Sequence, residues 1–237
     1  MCTPMLRKLA GGLCLLVIST VASGSAPRDV AEVLKEAATE VSYLGFDKAY
    51  PLYAEAQQLA QEGSEQWQAA VFGQALCLQQ IAPVTADRLQ AASSLYTSLI
   101  ERYPDSKYTP QAMMAMGRMA ELVDYLGDQP DREAARQWYA KAREKAGEGS
   151  DLSHEATLRI AATYVQSYEP DQCRHALEML EQWLAKYPNN PLASAMWQYS
   201  GDTWFFPLKD EKKAVACYLK ADELGLLEQG REGPIYW

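Results

Sequence analysis

The side chains in this chain that could do chemistry are few, and their spacing does not gather them. His154 and His175 fall in different predicted helices, and neither has a metal-ligand type four positions on. Cys77, Cys173 and Cys217 are far apart, whereas zinc sites and disulfide frameworks use closely spaced cysteines. They read as buried thiols packing like small apolar side chains. No phosphate-binding glycine loop or nucleophile elbow appears. Most Asp and Glu fall on predicted exposed helix faces. The sequence therefore nominates no catalytic, cofactor-binding or metal residue, and the chain reads as a non-enzyme. An enzyme with an unrecognised carboxylate site is the distant alternative. An aromatic stripe of Tyr53, Tyr96, Tyr139, Trp183 and Tyr218 could offer a flat platform to a sugar or cofactor. Its spacing instead suits a core between helices.

That spacing belongs to a repeat. An Ala, a large residue four on and an apolar residue three further on recur five times. They are Ala49-Tyr53-Ala56, Ala92-Tyr96-Leu99, Ala135-Tyr139-Ala142, Ala176-Leu180-Trp183 and Ala214-Tyr218-Ala221. The Ala positions step by 43, 43, 41 and 38 residues. A period of roughly 20–50 residues marks a stacked repeat. Before each set lies another helical pattern with a small residue near its middle: Ala37, Gly73, Gly117, Ala161 and Gly201. Positions i, i+4 and i+7 share a helix face, so the small residue marks a close approach.

Ten helices are predicted, over 30–44, 47–61, 65–80, 88–102, 110–125, 131–146, 151–167, 171–186, 191–205 and 211–224. Thr109-Pro110 and Asn190-Pro191 read as an N-cap followed by Pro, and Asp131 and Asp210 as N-caps. Gly45 and Gly225 stand where helices should stop.

The pattern resembles the tetratricopeptide repeat (TPR). Trp197-Gly201-Trp204 is similar to that family's first helix. Ala92-Tyr96-Leu99-Pro104 and Ala176-Leu180-Trp183-Pro188 are similar to its second. The period is longer than the family's, and Gln61, Gly147 and Leu226 replace its Pro. The resemblance implies an all-α, right-handed solenoid of about five helix pairs over residues 29–225. It also implies a concave groove, lined by first helices, that holds a protein or peptide. Counting from the small residues, its lining includes Trp67, Gln74, Met114, Arg118, Glu121, Leu158, Gln198, Asp202 and Phe205. Leu34, Val41, Cys77, Glu155 and Val165 share the stripe. The stripe is apolar enough that either a partner covers it or tight curvature buries it.

Composition agrees with a folded chain: 48% hydrophobic and 22% charged. Residues 1–25 read as a secretory signal, with Arg7 and Lys8, an apolar stretch from Leu9 to Ala22, and small residues after it. Cleavage is expected within 23–26; an uncleaved membrane anchor is the alternative. The formal charge is −9. Removing a signal with two basic and no acidic side chains makes it more acidic still, which disfavours nucleic acid and anionic membrane surfaces. Arg102-Tyr103-Pro104-Asp105-Ser106 and Lys186-Tyr187-Pro188-Asn189-Asn190 further resemble bacterial envelope TPR proteins of the outer-membrane-assembly and Tol-Pal coordinator types. That resemblance implies a periplasmic or other extracytoplasmic location. The leading expectation is an exported scaffold or adaptor that binds a protein in its groove. The rival is a structural subunit of an envelope complex, docked by its convex face or ends. Residues 226–237, closing with Pro234-Ile235-Tyr236-Trp237, are expected to fold over the last pair.

Overall fold

The computed structural model describes residues 28–225. The predicted signal and the tail at 226–237 lie outside them. Ten helices pair into five units. Unit 1 is α1 (Val30–Ser42) and α2 (Phe46–Leu59), and unit 2 is α3 (Glu65–Gln80) and α4 (Ala86–Arg102). Unit 3 is α5 (Thr109–Glu121) and α6 (Arg132–Ala146), and unit 4 is α7 (Asp151–Val165) and α8 (Pro170–Lys186). Unit 5 is α9 (Ala193–Phe205) and α10 (Glu211–Glu223). Each helix packs on the next, and α1 also reaches α3 as α5 reaches α7. Over the described residues the chain is an all-α solenoid of five helix pairs.

The repeated residues are its core. Ala49, Ala92, Ala135, Ala176 and Ala214 are fully buried, and so are Ala56, Leu99, Ala142 and Ala221. Around them, clusters join adjacent units. Ala75, Ala92, Tyr96 and Ala112 bridge units 2 and 3. Ala161, Leu180, Trp183, Leu184 and Met196 bridge units 4 and 5. The three glycines among the small residues do mark close approaches, but it is a tyrosine ring and not a backbone that comes close. A methyl group added at Gly73, Gly117 or Gly201 would sit 2.4, 2.5 or 2.5 Å from the ring of Tyr53, Tyr139 or Tyr218.

The caps are partly as expected. Asp131 accepts from Ala134 N at 2.9 Å, and Asp210 from Lys213 N at 3.1 Å. Thr109 is not a cap: Tyr108 holds that place, and Thr109 Oγ1 donates to Tyr103 O at 2.7 Å. Asn190 accepts from Leu192 N at 2.9 Å within a turn, and α9 starts at Ala193, beyond Pro191. Helix α5 ends at Glu121 instead of 125, because Leu122 turns extended (ψ 157°) and the following loop comes back to place Asp131 N on Ala120 O at 2.7 Å.

The turns at Tyr103 and Tyr187 are the same object 84 residues apart (187 minus 103). Tyr103 has φ −131° and ψ 60°, and Tyr187 has φ −128° and ψ 54°. Each carbonyl accepts from the N–H three residues on, at 3.0 Å from Ser106 and 3.1 Å from Asn190.

Candidate functional site: the first-helix face and the turn edges

The aromatic stripe is core, and its polar tips explain why those rings are there. Tyr96 Oη donates to Gln79 Oε1 (3.2 Å), Tyr139 Oη to Glu121 Oε2 (2.6 Å) and Tyr218 Oη to Asp202 Oδ1 (2.8 Å). Trp183 Nε1 donates to His154 Nδ1 (3.0 Å). In units 2 to 5 the second helix is thus pinned to the first helix of its own pair. A buried hydroxyl or indole N–H needs such a partner. Burial, then the Glu121 carboxylate, push the Tyr139 phenol well above its ordinary range. Burial and the Asp202 hydrogen bond hold Tyr218 up at about 12. Burial also raises the Cys77 thiol to about 12 and keeps Cys173 and Cys217 raised, so these free thiols stay protonated.

The nine groove residues do not form one lining. Trp67 is half-buried against the Tyr103 ring (centroids 5.6 Å), beside Arg102. Gln74 is buried, and its Nε2 donates to Gln57 Oε1 at 2.8 Å. Glu121 is 4% exposed; besides Tyr139 it accepts from Gln166 Nε2 at 2.6 Å, and Gln166 Oε1 accepts from Arg132 Nε. A partner seated on this face would not reach Gln74 or Glu121. Met114 packs against the Ala135, Tyr139 and Ile160 cluster, and Leu158 against that of units 4 and 5. Arg118 is half-buried, with Nη1 enclosed and unbonded. Gln198 and Asp202 are half-buried, and burial raises the Asp202 carboxyl above its usual range while its bond from Tyr218 pulls it down. Phe205 is exposed and meets Phe206 edge-on, centroids 5.0 Å apart. Glu155 is the exposed member of the stripe on α7.

A cleft of about 750 Å³ lies elsewhere, between α6, α7 and α8, with His154, Trp183, Lys186 and Tyr187 in its wall. His154 Nδ1 is already taken by Trp183, and Lys186 pairs with Glu148. Among the described residues no cluster of three or more His, Cys, Asp or Glu is placed to hold a metal.

Two edges run along the solenoid, and they differ. Where second helices pass to first helices, ion pairs join segments about one repeat apart: Arg102–Glu62, Lys107–Glu65, Lys145–Asp105 and Lys186–Glu148. Where first helices turn into second helices, large apolar side chains stand in water: Tyr43, Leu44, Val123, Leu126, Tyr168, Phe205 and Phe206. Leu44 (φ 59°) and Tyr168 (φ 58°) are also left-handed. That conformation costs a side-chain-bearing residue about 1–2 kcal/mol. Tyr168, 67% exposed, gains little packing in return. Tyr168→Gly is therefore expected to stabilise the fold, by about 0.5–1 kcal/mol once the looser unfolded chain is counted. Urea unfolding monitored by circular dichroism checks this; a destabilised variant would show that the ring is held by contacts in solution. Sequence reasoning assigned Phe205 to the groove and missed the rest of this edge, because isolated apolar loop residues carry no period.

Pairing, pinning and stacking together define a TPR-like α-solenoid. Solved structures share it, two of them as follows. One is a protein from Podosopora anserina, named as a kinesin light chain with nearly identical TPR-like repeats (TM-score 0.62, 10% identity, covering 89% of this chain and 100% of that one). The other is BtubC (BKLC) from P. vanneervenii (TM-score 0.64, 18% identity, covering 88% of this chain and 84% of that one). No family model matches the sequence, and no curated protein matches it.

Proposed function

We propose that this chain is an exported scaffold that binds a protein through the inner face formed by its first helices. The observation that carries the reading is the side-by-side placing of those helices, α1 on α3 and α5 on α7, with half-exposed side chains left on them. Such a face suits an extended or helical segment of a partner. Because Gln74 and Glu121 are sealed, Glu155, Leu158, Gln198 and Asp202 are the contacts to expect in units 4 and 5. Export rests on the sequence of residues 1–25, and the envelope setting on the Tyr-Pro turns.

The test compares the mature chain with Glu155→Arg/Gln198→Arg, using affinity purification and mass spectrometry. Loss of the main partner with an unchanged thermal midpoint supports the reading; full retention overturns the groove. The exposed apolar turns favour a second reading, docking by an edge in a larger complex. Under it, Tyr43→Ser/Leu126→Ser would lose the partner and the groove variant would keep it.

A further inference from the structure

The cleft between α6, α7 and α8 has a hydrogen-bond donor in its wall that the chain does not use. The Trp183 indole N–H can only donate, so its 3.0 Å bond makes His154 Nδ1 an acceptor. The imidazole is then neutral and carries its proton on Nε2. His154 is 3% exposed, and its Nε2–H meets no acceptor among the described residues. A buried donor left over in the wall of a cavity calls for a partner from outside the fold. The neighbouring rings say what kind. In unit 2, Tyr103 packs on Trp67, and the Arg102 guanidinium stands over both rings, 5.5 and 5.8 Å from their centroids. At the matching turn of unit 4, Lys186 stands 5.3 Å over Tyr187. The ring beside Tyr187 is there the smaller imidazole of His154, centroids 4.6 Å apart. Lys186 has one ring where Arg102 has two. The cleft of about 750 Å³ opens at this place, and small-molecule sites measure about 300–1,000 Å³.

We propose that this cleft binds a small organic anion built of a planar ring and a carboxylate. The carboxylate accepts from His154 Nε2–H. The ring lies by Lys186 and Tyr187, as Trp67 lies by Arg102 and Tyr103. Planar rings pack on one another offset or edge-on, and an ammonium over a ring face adds to the contact. The charges of the lining agree. Lys186 and Glu148 pair with each other, which leaves Lys141 and Arg143 against Glu144. The rim is thus net positive in a chain of formal charge −9. Lys141 lies over the Trp138 ring at 4.5 Å. Arg143 is exposed and makes no hydrogen bond or ion pair among the described residues. Its guanidinium is the group that can take a carboxylate through two parallel N–H bonds. The cleft shares no residue with the inner-face contacts Glu155, Leu158, Gln198 and Asp202, so its ligand need not be the scaffold's partner.

Indole-3-acetate tests this, being the ring of Trp67 joined to a carboxylate. It is titrated into the mature chain while the histidine side-chain nitrogen shifts are followed by NMR. The chain has two histidines, and His175, edge-on to Tyr164, is the reference. Saturable binding is expected at about millimolar concentration or below, with a shift at His154 Nε2 and none at His175. Tryptamine keeps the ring but carries a cation, and acetate keeps the carboxylate without the ring. Each is expected to bind about tenfold more weakly or worse. Arg143→Glu is expected to weaken indole-3-acetate by about the same factor with the thermal midpoint of the free protein unchanged. Arg174→Glu, on α8 outside the cleft, should bind it as wild type does. Absence of binding up to about 10 mM overturns the proposal. So does a His154 signal that stays still at saturation, tryptamine binding as tightly as indole-3-acetate, or an Arg143→Glu variant that binds undiminished.

Discussion

Glu121→Ala is expected to destabilise the array by about 2–5 kcal/mol. The carboxylate is 4% exposed and accepts from Tyr139 Oη and Gln166 Nε2, both at 2.6 Å. Removing it strands the buried Tyr139 hydroxyl, at about 1–3 kcal/mol, and takes from the half-buried Gln166 amide a bond to a charged group, worth about 1.5–3 kcal/mol. Glu121→Gln retains one acceptor oxygen but turns an amide N–H₂ toward the second donor, so it should fall between wild type and the alanine variant. Tyr139→Phe removes one of the donors. In combination with Glu121→Ala it should therefore cost less than the two singles added together. Denaturant midpoints of the four proteins measure this coupling. Additive losses would mean that the Tyr139–Glu121 bond does not form in solution.

Gly117→Leu and Gly201→Leu are each expected to cost about 1–3 kcal/mol, by overpacking. A Cβ at Gly117 would stand 2.5 Å from Tyr139 Cε1, and one at Gly201 2.5 Å from Tyr218 Cε1. Neither ring is free to retreat, because its hydroxyl is tied to the first helix of the same pair. The two helices must separate or the ring must leave its bond. Even alanine should be felt at both sites, since the clash begins at Cβ. Thermal unfolding gives the answer, and midpoints matching wild type in both leucine variants would remove these glycines from the helix contacts.

The core was legible in the sequence because it is periodic. The Ala-large-apolar set and the small residue before it sit in phase five times, and burial follows that phase. What could not be read has no period. Gln74 and Glu121 occupy positions that would face a groove, and a polar residue there looks solvated. They are buried because Gln57, Tyr139 and Gln166 meet them from 17, 18 and 45 residues away. The tyrosine pins likewise land at different offsets, on Gln79, Glu121 and Asp202, which are six, four and one residues past the small position. No fixed spacing would have announced them. Apolar Leu122 and Val123 extend the helical pattern of α5, yet the helix ends at Glu121 because a later residue, Asp131, bonds back to Ala120. A local pattern holds no record of that return.

The joints between units are of two kinds, and they alternate. Gln74–Gln57 ties unit 1 to unit 2, and Gln166–Glu121 ties unit 3 to unit 4. The matching Tyr-Pro turns span the other two joints, at 103–108 and 187–192. The Tyr-Pro joints are closed as well by apolar clusters, Ala75, Ala92, Tyr96 and Ala112 at one and Ala161, Leu180, Trp183 and Met196 at the other. A pull along the array would have to break a directional polar tie at the first kind of joint and slide an apolar contact at the second, so the curvature of the inner face is expected to change first at the Tyr-Pro joints.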